Sequence, residues 1–160
     1  MKPSVEQVYA WLEQVKDPEI PVLSLVDLGV ITEVVIDGEK ITVEMTPTFV
    51  GCPAMDYMKT EVENVLKTHG VKNVEVKITF RTPWSSDLIS EKGKKALKKY
   101  GLAPPPSSTI FTDLEILETA ICPRCDGTDT ALKNPFGPTL CRSIYYCNTC
   151  REAFEQFKAI

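Results

Sequence analysis

Two C-x-x-C knuckles constrain this chain more than any other feature. Cys122-Pro123-Arg124-Cys125 and Cys147-Asn148-Thr149-Cys150 are separated by 21 residues. Each knuckle presents two sulfurs from one tight turn, and the excursion between them has the length of a hairpin. One tetrahedral metal ion can collect four thiolates so arranged, and zinc is the usual occupant. The C-terminal segment is therefore expected to be a four-cysteine ribbon whose small core is completed by zinc binding. Thiolates also suit iron–sulfur clusters, so the residue types leave zinc or iron open. Cys141, six residues before Cys147, is either a further participant or a small buried hydrophobe. No histidine stands nearby, which excludes a site of three cysteines and one histidine.

Charge narrows the partners. Residues 1–100 carry 13 basic and 15 acidic groups, and residues 101–160 carry 5 and 7. Neither part is basic, which argues against nucleic acid as the main partner. No run of 18 apolar residues exists, so no membrane helix is expected. Met1-Lys2-Pro3-Ser4-Val5-Glu6 lacks the apolar region of a signal peptide. The expected compartment is the cytoplasm, where thiols stay reduced and paired knuckles mean metal rather than disulfide.

The preceding residues predict an α+β domain. Ser4, with Gln7 three residues on, forms a capping box before Val5, Val8, Leu12 and Val15 at helical spacing. That helix ends before Asp17-Pro18. Asp37-Gly38 is a hairpin signal between strands Val30–Ile36 and Lys40–Met45. Pro53 suits the first turn of a helix carrying Met55, Met58, Val62 and Val65, which stops at His69-Gly70. Val74, Val76, Ile78 and Phe80 alternate as a third strand. The order α-β-β-α-β implies helices on one face of a small mixed sheet. Ser86 or Asp87 is expected to cap a lysine-rich helix over residues 88–100. Its lysines, Lys92, Lys94, Lys95, Lys98 and Lys99, read as a solvated surface or a docking face for an acidic partner. Pro104-Pro105-Pro106 marks a semi-rigid linker. The expected division is a domain at 1–103, a linker at 104–109 and the ribbon at 110–160. Strands are expected near 110–118, at Ile144–Tyr146 and at Ala153–Phe157.

Cys52 is the candidate reactive thiol. At or near a helix N-cap it meets free backbone N–H groups and the positive end of the helix dipole, both of which lower a thiol pKa. Thr46 and Thr48 in the preceding loop add hydroxyls. The competing reading is an inert cysteine packed beneath that loop. His69, the one histidine, lies roughly 25 Å away along the same helix and cannot serve Cys52 as a base. Asp17 and Glu19 read as an acid–base pair or as the cap of a turn. Trp84 reads as a cover for the reactive loop or as core.

Asp17-Pro18-Glu19-Ile20-Pro21, Leu28-Gly29-Val30, Thr46-Pro47-Thr48 and Gly51-Cys52-Pro53-Ala54 resemble the small maturation domain of SufT-like iron–sulfur proteins and their eukaryotic cytosolic counterparts. The ribbon, Pro83-Trp84-Ser85-Ser86-Asp87 and Ala153-Phe154-Glu155-Gln156-Phe157-Lys158 narrow the resemblance to the PaaD-like accessory family of phenylacetyl-CoA epoxidase systems. The resemblance implies a non-enzymatic accessory role: assembling iron–sulfur clusters or delivering them to the epoxidase of phenylacetate degradation, chiefly to its 2Fe–2S reductase subunit. It implies the iron–sulfur assembly machinery and epoxidase subunits as partners, with Cys52 as the reactive cysteine and Asp17 and Glu19 as the acidic turn. The sequence departs from the family in one place, where Ala159 stands in place of a further C-terminal cysteine. One thiolate cannot hold a 2Fe–2S cluster, so a carrier role implies a homodimer or a shared ligand set. Two rivals remain: a scaffold that never binds a cluster, and a thiol enzyme acting through Cys52, for which no base is evident.

Overall fold

Ser4 starts the first helix in the computed structural model. Its Oγ accepts the Gln7 N–H at 3.2 Å while Gln7 Oε1 accepts the Ser4 N–H at 2.9 Å. This is the reciprocal capping box that the sequence predicts. Helix α1 (Val5–Leu12) buries Val8 and Leu12. Val15 is also buried but lies past the helix end, which comes earlier than the apolar spacing predicts. The structure describes residues 2–49, 51–105 and 120–158. They fall into two compact units, Met1–Trp84 and Ser85–Ile160.

In the first unit a short helix, α2 (Leu25–Leu28), is an element that the apolar spacing does not predict. Ser24 caps it, its Oγ accepting the Asp27 N–H at 3.0 Å and donating to Asp27 Oδ2 at 2.9 Å. Strands β1 (Ile31–Asp37) and β2 (Lys40–Met45) pair antiparallel. Asp37 pairs with Lys40, so the turn residues are Gly38 and Glu39, one position later than predicted. Gly38 has φ +62, which a residue without Cβ adopts freely. Helix α3 (Met55–Thr68) follows, and β3 (Asn73–Ile78) then pairs parallel to β2. The sheet order is β1-β2-β3, the predicted mixed sheet. Helix α1 packs on α3 and β1, and α3 packs on β3.

Leu12, Ile41, Val43, Met45, Val62 and Leu66 are essentially inaccessible to water and form the centre of this core. Strand β3 stops short of Phe80, which is 63% exposed. Trp84 belongs to the core: it is buried, and its indole N–H donates to the Leu28 carbonyl at 2.8 Å. An indole buried with its N–H satisfied gains packing without a desolvation penalty.

The second unit opens with a single 3₁₀ turn, Ser86–Leu88. Helix α4 (Glu91–Tyr100) is capped by Ser90, whose Oγ accepts the Gly93 N–H at 2.9 Å, and not by Ser86 or Asp87 as predicted. Ser86 instead lies buried in the turn. The sheet contains β4 (Leu102–Ala103), β5 (Thr130–Asn134), β6 (Arg142–Cys147) and β7 (Glu152–Phe157), ordered β4-β7-β6-β5. Strand β4 runs parallel to β7, and the other pairs are antiparallel. Helix α4 packs on β4.

Proline content places the start of a linker at residue 104. The structure shows Leu102 and Ala103 buried in the ribbon's own sheet, with the units dividing at Trp84 and Ser85. Residues 106–109 of that linker and the strand expected near 110–118 lie outside the described residues. No described helix is long and apolar enough to cross a membrane.

Candidate functional site

The two knuckles converge. The Sγ atoms of Cys122, Cys125, Cys147 and Cys150 all lie within 4.8 Å of one another. Cys122 and Cys150 are 3.7 Å apart, and Cys125 and Cys147 are 3.6 Å apart. A tetrahedral zinc with bonds of about 2.3 Å requires sulfur–sulfur edges of about 3.8 Å. The donor set therefore fits zinc in both chemistry and spacing.

The two knuckles repeat one backbone device. The Asp126 N–H donates to the Cys122 carbonyl at 3.0 Å, and the Arg151 N–H donates to the Cys147 carbonyl at 2.9 Å. Asp126 (φ 58) and Arg151 (φ 61) are the non-glycine residues with positive φ among the described residues, and each directly follows the second cysteine of its knuckle. Each left-handed residue turns the chain sharply away, leaving both sulfurs pointing inward. Asn148 joins the knuckles, its N–H donating to the Asp129 carbonyl and its Nδ2 to Asp129 Oδ1, both at 2.9 Å.

Gly127 is a site residue that sequence reasoning missed. A Cβ there would lie 3.0 Å from Thr149 Oγ1 and 3.1 Å from Cys125 Sγ, so only glycine lets this loop close on the sulfurs without displacement. Its signal was present in the run Cys125-Asp126-Gly127.

The sulfurs do not ionise alike without a cation. Backbone N–H donation, chiefly from Cys150, lowers the Cys147 thiol to about 7. Burial, reinforced by the other three sulfurs, raises Cys150 to about 12. Such a cluster binds a metal with release of protons. Among the described residues, Ala103, Ala120, Cys122, Tyr145, Cys147 and Phe154 are buried together around it, with Leu132 and Cys150 packed against them. Cys141 is not among the converging sulfurs. It is buried, with its Sγ 3.0 Å from Thr139 Oγ1, as a packing residue.

Cys52 occupies the first unit and is half-buried. The helix cap is Ala54, two residues later than the position expected for Cys52. The backbone N–H groups of Ala54 and Met55 donate toward the Cys52 sulfur and lower its pKa, as expected of a helix start. They are outweighed. Burial raises the thiol most, and the negative charges of Asp17 and Glu19 raise it further. The expectation of a lowered thiol pKa is therefore corrected: in the free protein the resting form is shifted toward the thiol.

The same observation brings the acidic turn and Cys52 together, though they are more than thirty residues apart in sequence. Asp17 is also the cap of its own turn. Its Oδ1 accepts the N–H groups of Glu19 at 2.8 Å and Ile20 at 2.9 Å. Thr46 is buried, with its N–H on the Val30 carbonyl at 2.9 Å, and Thr48 is half-buried. His69 lies at the far end of α3, stacked on Trp11 at 4.5 Å with Gln14 Nε2 3.2 Å from its Nε2. It serves the packing of α1 on α3.

The chain thus joins a small mixed-sheet domain, which carries a half-buried thiol near an acidic turn, to a β-ribbon whose four thiols fit zinc. The family model described as iron-sulfur cluster assembly protein matches residues 5–78, and that described as PaaD zinc beta ribbon domain matches residues 106–158. The chain is 35% identical over 158 residues to an Escherichia coli (strain K12) protein named as a component of 1,2-phenylacetyl-CoA epoxidase, spanning 99% of this chain and 94% of that one. It is 38% identical over 94 residues to the Fe-S protein maturation auxiliary factor YitW of Bacillus subtilis (strain 168), spanning 58% of this chain and 91% of that one. A solved DUF59 domain from Bacillus anthracis superposes with a TM-score of 0.54 at 35% identity, covering 57% of this chain and 89% of that one. The chain belongs to the PaaD family, in which an iron–sulfur assembly domain precedes a zinc β-ribbon.

Proposed function

We propose that this protein is a cytoplasmic, non-catalytic accessory factor that passes iron–sulfur clusters, or their components, to the phenylacetyl-CoA epoxidase, chiefly to its 2Fe–2S reductase subunit. The observation that carries the reading is the placement of Cys52. A half-exposed thiol, held toward its neutral form beside two carboxylates, is a poor nucleophile for covalent chemistry and an adequate transient ligand for a cation. Iron displaces the thiol proton, which passes to Asp17, Glu19 or solvent. An incoming client thiolate then displaces Cys52 from the iron, with no change in oxidation state. Since 2Fe–2S clusters ordinarily take four protein ligands, a single Cys52 holds its cargo weakly, and a second copy of the chain or the client completes the set. Weak ligation favours release. The names of the iron–sulfur assembly and maturation relatives support this reading, and the epoxidase name of the Escherichia coli relative supports the client.

In this reading the zinc ribbon is structural and gives the client a surface to dock on. The test is metal and acid-labile sulfide analysis of anaerobically purified protein beside Cys52→Ser. One zinc per chain in both, with sub-stoichiometric iron and sulfide in the wild type alone, is expected. Zinc alone in both after anaerobic reconstitution would instead favour the scaffold reading, in which both units dock epoxidase subunits and carry no cluster.

A further inference from the structure

The structural division of the chain separates charge in a way that a division at residue 100 conceals. Residues 1–84 carry 8 basic and 13 acidic groups, whereas residues 85–160 carry 10 and 9. Half of the second unit's positive charge sits on one ten-residue helix, α4, which holds five lysines and one glutamate. The helix has two distinct faces. Gly93 and Leu97 are buried against the unit, while Lys92, Lys95 and Lys99 are exposed. These three recur at i, i+3 and i+7, which places them on one stripe. Lys94 and Lys98 flank the stripe and pair with Glu91 and Asp126.

A second feature adjoins the helix. Tyr100, its last residue, is 50% exposed and lines a cleft of about 430 Å³. Arg124 and Arg142 line the same cleft, beside the apolar side chains of Ile144 and Phe154. Arg124 pairs with Glu152 at 3.1 Å through side chains that are both more than half exposed. An ion pair so exposed exchanges partners at little cost.

We infer that helix α4 and this cleft form a docking surface for a protein partner whose contact segment is acidic and carries at least one apolar or aromatic side chain. Charge complementarity selects the partner: the lysine stripe steers an acidic face, and the cleft supplies the apolar contact and the exposed Arg124 guanidinium that anchors it, while Arg142 stays paired with Glu155 at 2.9 Å. On the proposed function that partner is the client, and the inference rests on that reading.

The experiment measures binding of purified epoxidase subunits, the apo 2Fe–2S reductase first, to the full-length zinc-loaded chain at low and physiological salt. It compares wild type with Lys92→Glu/Lys95→Glu/Lys99→Glu, with Tyr100→Ala and with Cys52→Ser. Zinc content and thermal melting confirm that each variant is folded. The charge-reversed variant should bind at least about tenfold more weakly and lose most of the salt dependence, since three attractions become repulsions. Tyr100→Ala should weaken binding and keep the salt dependence. Cys52→Ser should bind normally, which separates docking from cluster transfer. Unchanged binding by the charge-reversed variant would overturn the inference. So would a wild type that binds no epoxidase subunit, whether or not anionic vesicles or DNA retain it through the same lysines. Loss of docking in the reversed variant, alongside normal client maturation by Cys52→Ser, would sink the cluster-carrier function and leave the docking surface standing.

Discussion

The charge of Asp17 raises the pKa of Cys52, while the same carboxylate caps the turn that carries Glu19. One side chain thus shapes the loop and adds to the burial that is the main cause of the raised thiol pKa. Asp17→Asn retains the acceptor oxygen and removes the charge. In the zinc-loaded chain, the pH profile of Cys52 alkylation should therefore move to lower pH in this variant, and alkylation near neutral pH should be faster. An unchanged profile would mean that burial alone sets the thiol.

Zinc should hold the ribbon together, and acid should release it. Binding requires thiolates, so protons compete more strongly as pH falls; the first losses belong to the pH range below the ordinary thiol values. Chelation at neutral pH should abolish near-ultraviolet circular dichroism from the stacked pair Tyr145 and Phe154, whose ring centroids are 5.7 Å apart. Cys147→Ser should copurify with far less than one zinc per chain.

The ribbon site was legible because cysteine spacing reports a local geometry: four sulfurs on two turns have few ways to converge. The mixed sheet was legible because alternation and turn residues are also local signals. Less was legible wherever a long-range contact decided the outcome. The burial of Cys52, and after it the charges of Asp17 and Glu19, come from long-range folding, so a helix-start argument gave the wrong direction for the thiol. Leu102 and Ala103 sit beside a run of prolines, yet pairing with β7 draws them into the ribbon sheet. The early end of β3 leaves Phe80 exposed although its alternation continues the strand.

Arg151 adopts a left-handed backbone that a β-branched side chain tolerates poorly. Arg151→Val should destabilise the second knuckle by about 1 kcal/mol, which is about a fivefold loss of zinc affinity in a chelator competition. Arg151→Gly should retain wild-type affinity or exceed it. Equal affinity for the Val and Gly variants would show that the turn relaxes without cost.

Trp84→Phe keeps most of the buried ring and removes the N–H that the Leu28 carbonyl accepts. The first unit should lose about 1–3 kcal/mol, because a buried carbonyl then lacks this donor. Thermal unfolding followed by far-ultraviolet circular dichroism should show a lowered midpoint, with zinc content unchanged.

On the proposed function, Cys52 is the thiol through which the cluster passes to its client. The most direct measurement is the 2Fe–2S content of the epoxidase reductase produced alongside either wild type or Cys52→Ser, read as acid-labile sulfide and visible absorbance. The reductase should be largely devoid of cluster in the Cys52→Ser background, with the variant itself folded and loaded with one zinc. A fully loaded reductase in that background would contradict it.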